Sequence, residues 1–479
     1  MRSTEFGQTA NRPTVLVGTS AVALVLGASR WGTNLGSSPL FLTDVLILLG
    51  LIGWFLATMT QGSRPLTGYV PQRRPSTLFV FLFAFVVIRA LTSVSNGPLL
   101  DWIRDAAPFL YGFLAFVAAH SFARAPAEVR AKTMRVFWYA LVFHLVWMIF
   151  VTLTGTRGFA TPLGSAGIFE MRPDIDAALL GVGAGIFLLR AFREPKKFWP
   201  IFATISSVAC VLLMNSRAAL ISVALSLGLA YLLHYSTTRG KTMIRSFMQL
   251  AVPIVLLFGL ISLPLTAPGQ RILATIDRSQ TGTVGQVNAQ GTERARQLVW
   301  SGVVEWTNKE GSRQLFGSGF GNDFLTESGT LQYLEGTTYE NVRSPHNWFV
   351  GVYARMGLVG LALAVAVCAQ LLVTILRHRK RIAADPLLSL TALITVAILP
   401  VATLGVVLES PFGAVPFWWA AGILFTLRKA GTLDLGSKSL LSSANDSREV
   451  ASRGERAASR PNGTSTSRRH VGAPTSLQQ

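Results

Sequence analysis

Cysteine is almost absent: Cys210 and Cys368 are the only two in 479 residues, and each sits inside an apolar run. That excludes a disulfide scaffold and a paired-thiolate metal site, and leaves both as small core residues. Charge is scarce as well, at 14% of residues, against about a quarter in a soluble domain. The sequence contains no His-Glu-x-x-His pair and no GxxxxGK[ST] loop. These absences argue against the common zinc and nucleotide chemistries, and a metal would need a carboxylate-only site. Acidic residues are in short supply, with 23 Asp and Glu against 43 Lys and Arg, for a formal charge of +20. A basic balance can signify nucleic acid. Here the cations lie between apolar runs and in the C-terminal tail, where they would orient the chain against an anionic leaflet, so no nucleic-acid partner is expected.

Apolar side chains are what the chain has in abundance. They make up 50% of it, and the mean hydropathy is +0.45. They fall into runs of about 16 to 29 residues, the length that crosses a hydrocarbon core of about 30 Å. The runs cover 15–29, 40–59, 77–94, 106–120, 136–153, 175–189, 198–213, 218–235, 247–265, 348–376, 387–408 and 412–427. This pattern predicts an all-α fold, a polytopic transmembrane helical bundle of about twelve spans. Arg2 and Arg12 before the first run imitate a secretory signal, but with further spans following, an uncleaved first helix is expected.

Orientation follows from where the positive charge falls. One alternate set of loops carries Arg64, Arg73 and Arg74, then Arg124, Arg130, Lys132 and Arg135, then Arg193, Lys196 and Lys197, and later Arg377, Arg379, Lys380 and Arg381. The other set holds isolated charges such as Arg30, Arg104, Arg157, Arg172 and Arg217. The expected organisation is a cytoplasmic N-terminus at 1–14, about nine spans over 15–265, an extracytoplasmic loop at 266–346, about three spans over 347–428, and a disordered basic cytoplasmic tail at 429–479. The outer loop is polar with nearly balanced charge. Ala295, Leu298, Val299, Val303 and Trp306 recur within it at helical spacing, predicting an amphipathic helix over 292–306 lying across the membrane surface. A loop of such length is where a site is expected.

Several polar groups are left over once lipid has explained the rest. Arg217 lies between two apolar runs at their outer junction; a guanidinium there must snorkel, pair or bind an anion. Arg89, Asp101, Arg104 and Asp105 form a set that can neutralise itself. Asp174 and Asp176 open a span, where the helix dipole favours carboxylates and capping suffices as a reason. In the loop, Arg294 and Arg296 precede Trp300, and Arg296 is four residues from it and can share its face. The run Gly317-Ser318-Gly319-Phe320-Gly321-Asn322 can present backbone N–H groups to an anion, or simply turn the chain. His346 stands in Ser344-Pro345-His346-Asn347-Trp348 at the re-entry into the membrane, with Asn347 suited to start a helix. Histidine exchanges a proton near neutral pH, although a structural or capping role is equally open to it.

Taken in order, these motifs resemble the O-antigen ligase and Wzy-type polysaccharide polymerase superfamily of bacteria. The resemblance rests on the Asn215-Ser216-Arg217-Ala218 turn, on Arg296 to Trp300 followed by Gly317 to Asn322, on Pro345-His346-Asn347 with Gly351, Gly357 and Gly360 beyond it, and on the long loop that precedes them. The segment from Gly167 to Pro173 is also similar, although Asp174 stands where an Asn is more usual. The resemblance implies a multi-pass enzyme of the bacterial cytoplasmic membrane, needing neither metal nor nucleotide cofactor. It would move a glycan from a polyprenyl-diphosphate-linked oligosaccharide to a hydroxyl of an acceptor glycan, among membrane lipids and other polysaccharide assembly proteins. Carried over by motif, Arg217 and Arg296 would bind the diphosphate and His346 would serve as general base or positioning group. Arg294, Arg271, Arg278, Arg343 and Asn347 would support them. Polymerisation is preferred over ligation to a distinct acceptor such as lipid-core sugar. A flippase of lipid-linked sugars is the rival from another class, since buried arginines and many helices suit translocation too.

Overall fold

The computed structural model describes residues 18–35, 41–60, 76–123, 125–156, 158–160, 166–214, 216–237, 284–334 and 343–429. The expected span at 247–265, Arg271, Arg278, the N-terminal 17 residues and the tail beyond 429 lie outside them. The described chain is helical, and the β pairing within it is a single antiparallel bridge between Phe159 and Ile168.

The helices are α1 (Thr19–Thr33), α2 (Leu42–Thr60), α3 (Thr77–Thr92), α4 (Leu99–Leu110), α5 (Phe113–Ala123), α6 (Ala127–Thr154), α7 (Pro173–Arg193), α8 (Phe198–Leu213) and α9 (Arg217–Thr237). The segment between α9 and the next long helix adds α10 (Val284–Asn308), α11 (Gly311–Phe316) and α12 (Phe324–Glu327). Then come α13 (Trp348–Arg377), α14 (Arg379–Ala384), α15 (Pro386–Leu404) and α16 (Pro411–Phe425). The chain is thus an all-α, polytopic membrane protein. Helices α6, α7, α9, α13 and α15 are long and apolar enough to cross a membrane; α3, α8 and α16 are apolar but shorter. The run expected at 106–120 is not one helix. It breaks between Leu110 and Phe113, just after Pro108, and the preceding α4 starts at Leu99.

Two helices are apolar around their whole circumference and lie at the centre, as such helices must. Every residue of α16 is buried, and it packs against α5, α15 and α1. Helix α7 is enclosed by α8, α9 and α15. Small residues permit that enclosure: a Cβ at Gly181 would stand 2.9 Å from Ser222 Oγ, and one at Gly185 2.5 Å from Leu393 Cδ2. Close backbone approach of this kind is how helices associate where lipid supplies no hydrophobic drive.

Residues 292–306 are helical as expected, within the longer α10. Its inner face, Val299, Val303 and Trp306, packs with Phe324, Leu325, Leu334 and Ala354 into a small core of its own. Leu298 points outward, 40% exposed. The helix is therefore docked on the segment that follows it and on α13 by a side-chain core.

Helix α13 is broken at Gly357, where φ is 63° and ψ −165°. The break frees the carbonyls of Ala354 and Arg355, and the glycine run takes them up: Ser318 N–H donates to Ala354 O at 2.8 Å and Gly319 N–H to Arg355 O at 3.0 Å. Only glycine fits at both faces of this junction. Gly317 has φ 73°, and a Cβ there would lie 2.2 Å from the Arg355 carbonyl carbon; one at Gly357 would lie 2.4 Å from that of Leu315.

Candidate active site

At one end of the bundle α13 and α9 begin, α15 ends and α7 starts. Asn347 caps α13, its Oδ1 accepting from Phe349 N–H at 3.0 Å and Val350 N–H at 3.3 Å. His346, one residue earlier, is held in the left-handed region at φ 56°, a conformation rare for any residue but glycine. Ser344 Oγ accepts its backbone N–H at 3.2 Å. From the loop side, Trp300 Nε1 donates to Pro345 O at 2.6 Å. The amphipathic helix is thereby tied to the histidine turn.

Arg296, one helical turn before Trp300, donates from Nη1 to Leu404 O at 3.1 Å, at the C-terminal end of α15. Arg217 opens α9, half-buried, and Ser216 caps that helix by accepting Ala219 N–H at 3.3 Å. Its level follows from register. Ser222 Oγ donates to Ala397 O at 2.8 Å, and α9 runs antiparallel to α15. Arg217 is five residues before Ser222 and Leu404 seven after Ala397. At about 1.5 Å per residue the two positions share the same end of the bundle. Arg172 stands just before α7 with Nε 3.4 Å from Asp174 Oδ1. Asp174 in turn approaches the far side of the α15 terminus, its Oδ2 3.4 Å from where a Cβ on Gly405 would be. Asp176 Oδ2 accepts the Arg172 backbone N–H at 2.6 Å, which is the capping role its place in the first turn suggests.

His346 is 5% exposed. Burial, then the neighbouring Arg296 and Arg172, push its pKa down to about 3. Both effects oppose a second positive charge, so near neutral pH the ring is an uncharged imidazole. It faces a cavity of about 240 Å³ whose walls also include Arg30, Arg104, Arg172, Tyr111 and Phe412.

A second feature of this cavity was not legible as a unit. Arg355, 3% exposed, reaches Asp105 Oδ1 at 3.3 Å and Glu409 Oε2 at 3.4 Å. Arg343 reaches Asp105 Oδ2 at 3.0 Å and Asp101 Oδ2 at 3.5 Å. The expected self-neutralising set of Arg89, Asp101, Arg104 and Asp105 is therefore corrected. Both carboxylates are matched by arginines from the far side of the loop, whereas Arg89 donates to Gly317 O at 3.0 Å and Arg104 makes no ion pair among the described residues. The glycine run does meet an anion, but an internal one: Gly321 N–H donates to Asp105 Oδ2 at 3.2 Å. Of its other donors, Gly317 N–H goes to Arg313 O at 2.7 Å, those of Ser318 and Gly319 go to α13, and Ser93 Oγ accepts Phe320 N–H at 2.9 Å. Glu409 is pushed up to about 7 by burial, against the pull of Arg355. Arg355 and Glu409 each interrupt a long apolar stretch, and that interruption is the sequence signal by which they could have been found.

Of the supporting arginines expected from sequence, Arg343 belongs to the carboxylate network, and Arg294 is exposed on α10. Among the described residues no group of three or more His, Cys, Asp or Glu is arranged to hold a metal ion.

Residues 201–365 match the family model for O-antigen ligase. The matched stretch contains Arg217, Arg296, the glycine run, His346 and the break at Gly357. No curated protein matches the chain. The family match supports membership in the O-antigen ligase superfamily and a general glycan-transfer role of O-antigen ligase type.

Proposed function

We propose that this protein transfers a glycan from a polyprenyl-diphosphate donor to an acceptor sugar hydroxyl at the outer face of the bacterial cytoplasmic membrane, in polymerisation of a surface polysaccharide. The observation that carries this reading is the uncharged, buried His346 set beside Arg296 at the end of the bundle where Arg217 also opens a helix. A guanidinium at a helix N-terminus suits an anion twice over, by charge and by dipole. Arg217 and Arg296 together would offset the charge that develops on a departing diphosphate. In the reaction the acceptor oxygen forms a bond to the anomeric carbon while the bond from that carbon to the diphosphate oxygen breaks. The electron pair leaves with the diphosphate, and the hydroxyl proton passes to the uncharged imidazole of His346. A single displacement of this kind inverts the anomeric centre. No metal or nucleotide is required by this scheme.

The test uses purified full-length protein in lipid with a polyprenyl-diphosphate glycan and candidate acceptors. Arg217→Ala, Arg296→Ala and His346→Ala are each expected to abolish transfer while membrane insertion is unchanged. Normal product from the His346 variant overturns its assignment as the base. Ligation to a distinct acceptor is the second reading, favoured by the description of the matched family. Extension of the donor glycan marks a polymerase, and modification of a different acceptor marks a ligase. Donor confined to the inner face in cells lacking the protein would instead mark a flippase.

A further inference from the structure

Helix α7 has 21 residues, so its two ends are about 30 Å apart. Arg172, the residue that caps its start, lines the His346 cavity. The last turn of the helix borders a separate pocket of about 720 Å³ at the opposite end of the bundle, formed with the start of α6 and the start of α15. The separation equals the thickness of a hydrocarbon core, so this pocket lies at the level of the other leaflet's headgroups.

Four guanidiniums converge on it, Arg130, Arg135, Arg190 and Arg193, against two carboxylates, Glu194 and Asp385. The carboxylates account for only part of the charge. Arg130 pairs with Asp385 at 3.4 Å and Arg190 with Glu194 at 3.3 Å. Arg193 donates to Ala383 O, a neutral partner, and Arg135 is exposed with no ion pair among the described residues. The floor is apolar and aromatic: Arg190 lies 4.3 Å above the Trp138 ring, and Met134 and Leu189 complete the wall. From its rim an exposed apolar stripe runs along α6 through Tyr139, Phe143, Val146 and Phe150, spaced four, three and four residues apart. That spacing keeps the stripe on one helix face. A cationic, partly stacked head end joined to a continuous apolar track matches an amphiphile with an anionic phosphate head and an acyl tail. Guanidinium forks suit phosphate oxygens better than any other common side chain, and basic pockets between membrane helices select such headgroups.

We propose that this pocket binds the phosphate headgroup of an anionic membrane lipid, with its acyl chain lying along the Tyr139 to Phe150 face of α6.

The experiment places the full-length protein in phosphatidylcholine nanodiscs doped with a photoreactive phosphatidylglycerol, with photoreactive phosphatidylcholine as the matched probe, and maps adducts by mass spectrometry. Adducts of the phosphatidylglycerol probe are expected on peptides carrying Trp138, Phe143 and Leu387, well above those of the zwitterionic probe. The double variant Arg135→Ala, Arg190→Ala is expected to lower them by roughly tenfold or more, and the double lysine variant to retain most of them. Should the alanine pair not fold, Arg135→Glu alone gives the same reading, because that side chain is exposed and makes no ion pair among the described residues. Equal labelling by both probes, adducts concentrated elsewhere, or labelling indifferent to these substitutions overturns the proposal. Displacement of the probe by excess inorganic phosphate assigns the pocket to a soluble anion and overturns the lipid assignment.

Discussion

At the scale of single residues the proposed chemistry turns on keeping His346 uncharged. Burial sets the direction, and the guanidiniums of Arg296 and Arg172 add to it. A cation beside the ring disfavours its protonation, so removing one raises the pH at which the base is lost. Arg172→Met is therefore expected to move the acidic limb of the pH profile of kcat/KM upward, while Arg172→Lys, which keeps the charge, leaves it nearly in place. An unmoved limb in the Met variant would detach Arg172 from the histidine. Trp300 offers a second test. Its indole N–H bond to Pro345 O fixes the turn on which His346 rides, and a misplacement of about 1 Å can cost up to a hundredfold in rate. Trp300→Phe keeps the ring and deletes the donor. It is expected to lower kcat by roughly tenfold to a hundredfold with little change in KM, measured in the reconstituted assay.

At the scale of elements the decisive pieces are the loop and the broken helix. Gly317 and Gly357 hold positive φ with extended ψ, a region essentially restricted to glycine. Alanine at either position is expected to destabilise the protein by at least about 1–3 kcal/mol, read as a lower unfolding midpoint in detergent. A midpoint equal to that of the parent protein would remove the splice as a structural constraint. These elements also mark how far the sequence could be read. Helix positions were legible because an apolar run of the right length has few alternatives in lipid, and the start of α13 at Trp348 was legible because Pro345 and Asn347 punctuate it. The amphipathic face of α10 was legible from Val299, Val303 and Trp306. The anion-binding reading of the glycine run was open from sequence because glycines advertise free N–H groups, but which acceptors they meet depends on the break in α13 some forty residues later. Asp105, Arg343, Arg355 and Glu409 come from four separate segments, and no local spacing encodes their meeting. Arg217 and Arg296, also distant in sequence, were legible only through the order of motifs.

At the scale of the whole molecule, charge is sorted by depth. In the buried ionic network beside His346, Arg343 and Arg355 are shared among Asp101, Asp105 and Glu409, so removing an arginine leaves a carboxylate stranded in a poorly solvated place. Arg355→Met should therefore cost about 3–5 kcal/mol, more than the paired change Arg355→Met with Glu409→Leu, in which no Glu409 is left stranded and Asp105 keeps Arg343. Equal losses in unfolding experiments would mean that Glu409 is not the partner that matters. The splice at Gly357 has a further consequence for how substrate can arrive. Detaching residues 317–319 would leave the Ala354 and Arg355 oxygens without donors in an apolar setting, at about 1–3 kcal/mol each. The segment between α9 and α13 is thus a bolted lintel and not a swinging door. On the proposed function, a lipid-borne substrate has to slip in sideways between helices beside it, and the amide protons of Ser318 and Gly319 should exchange among the slowest in the segment even during turnover.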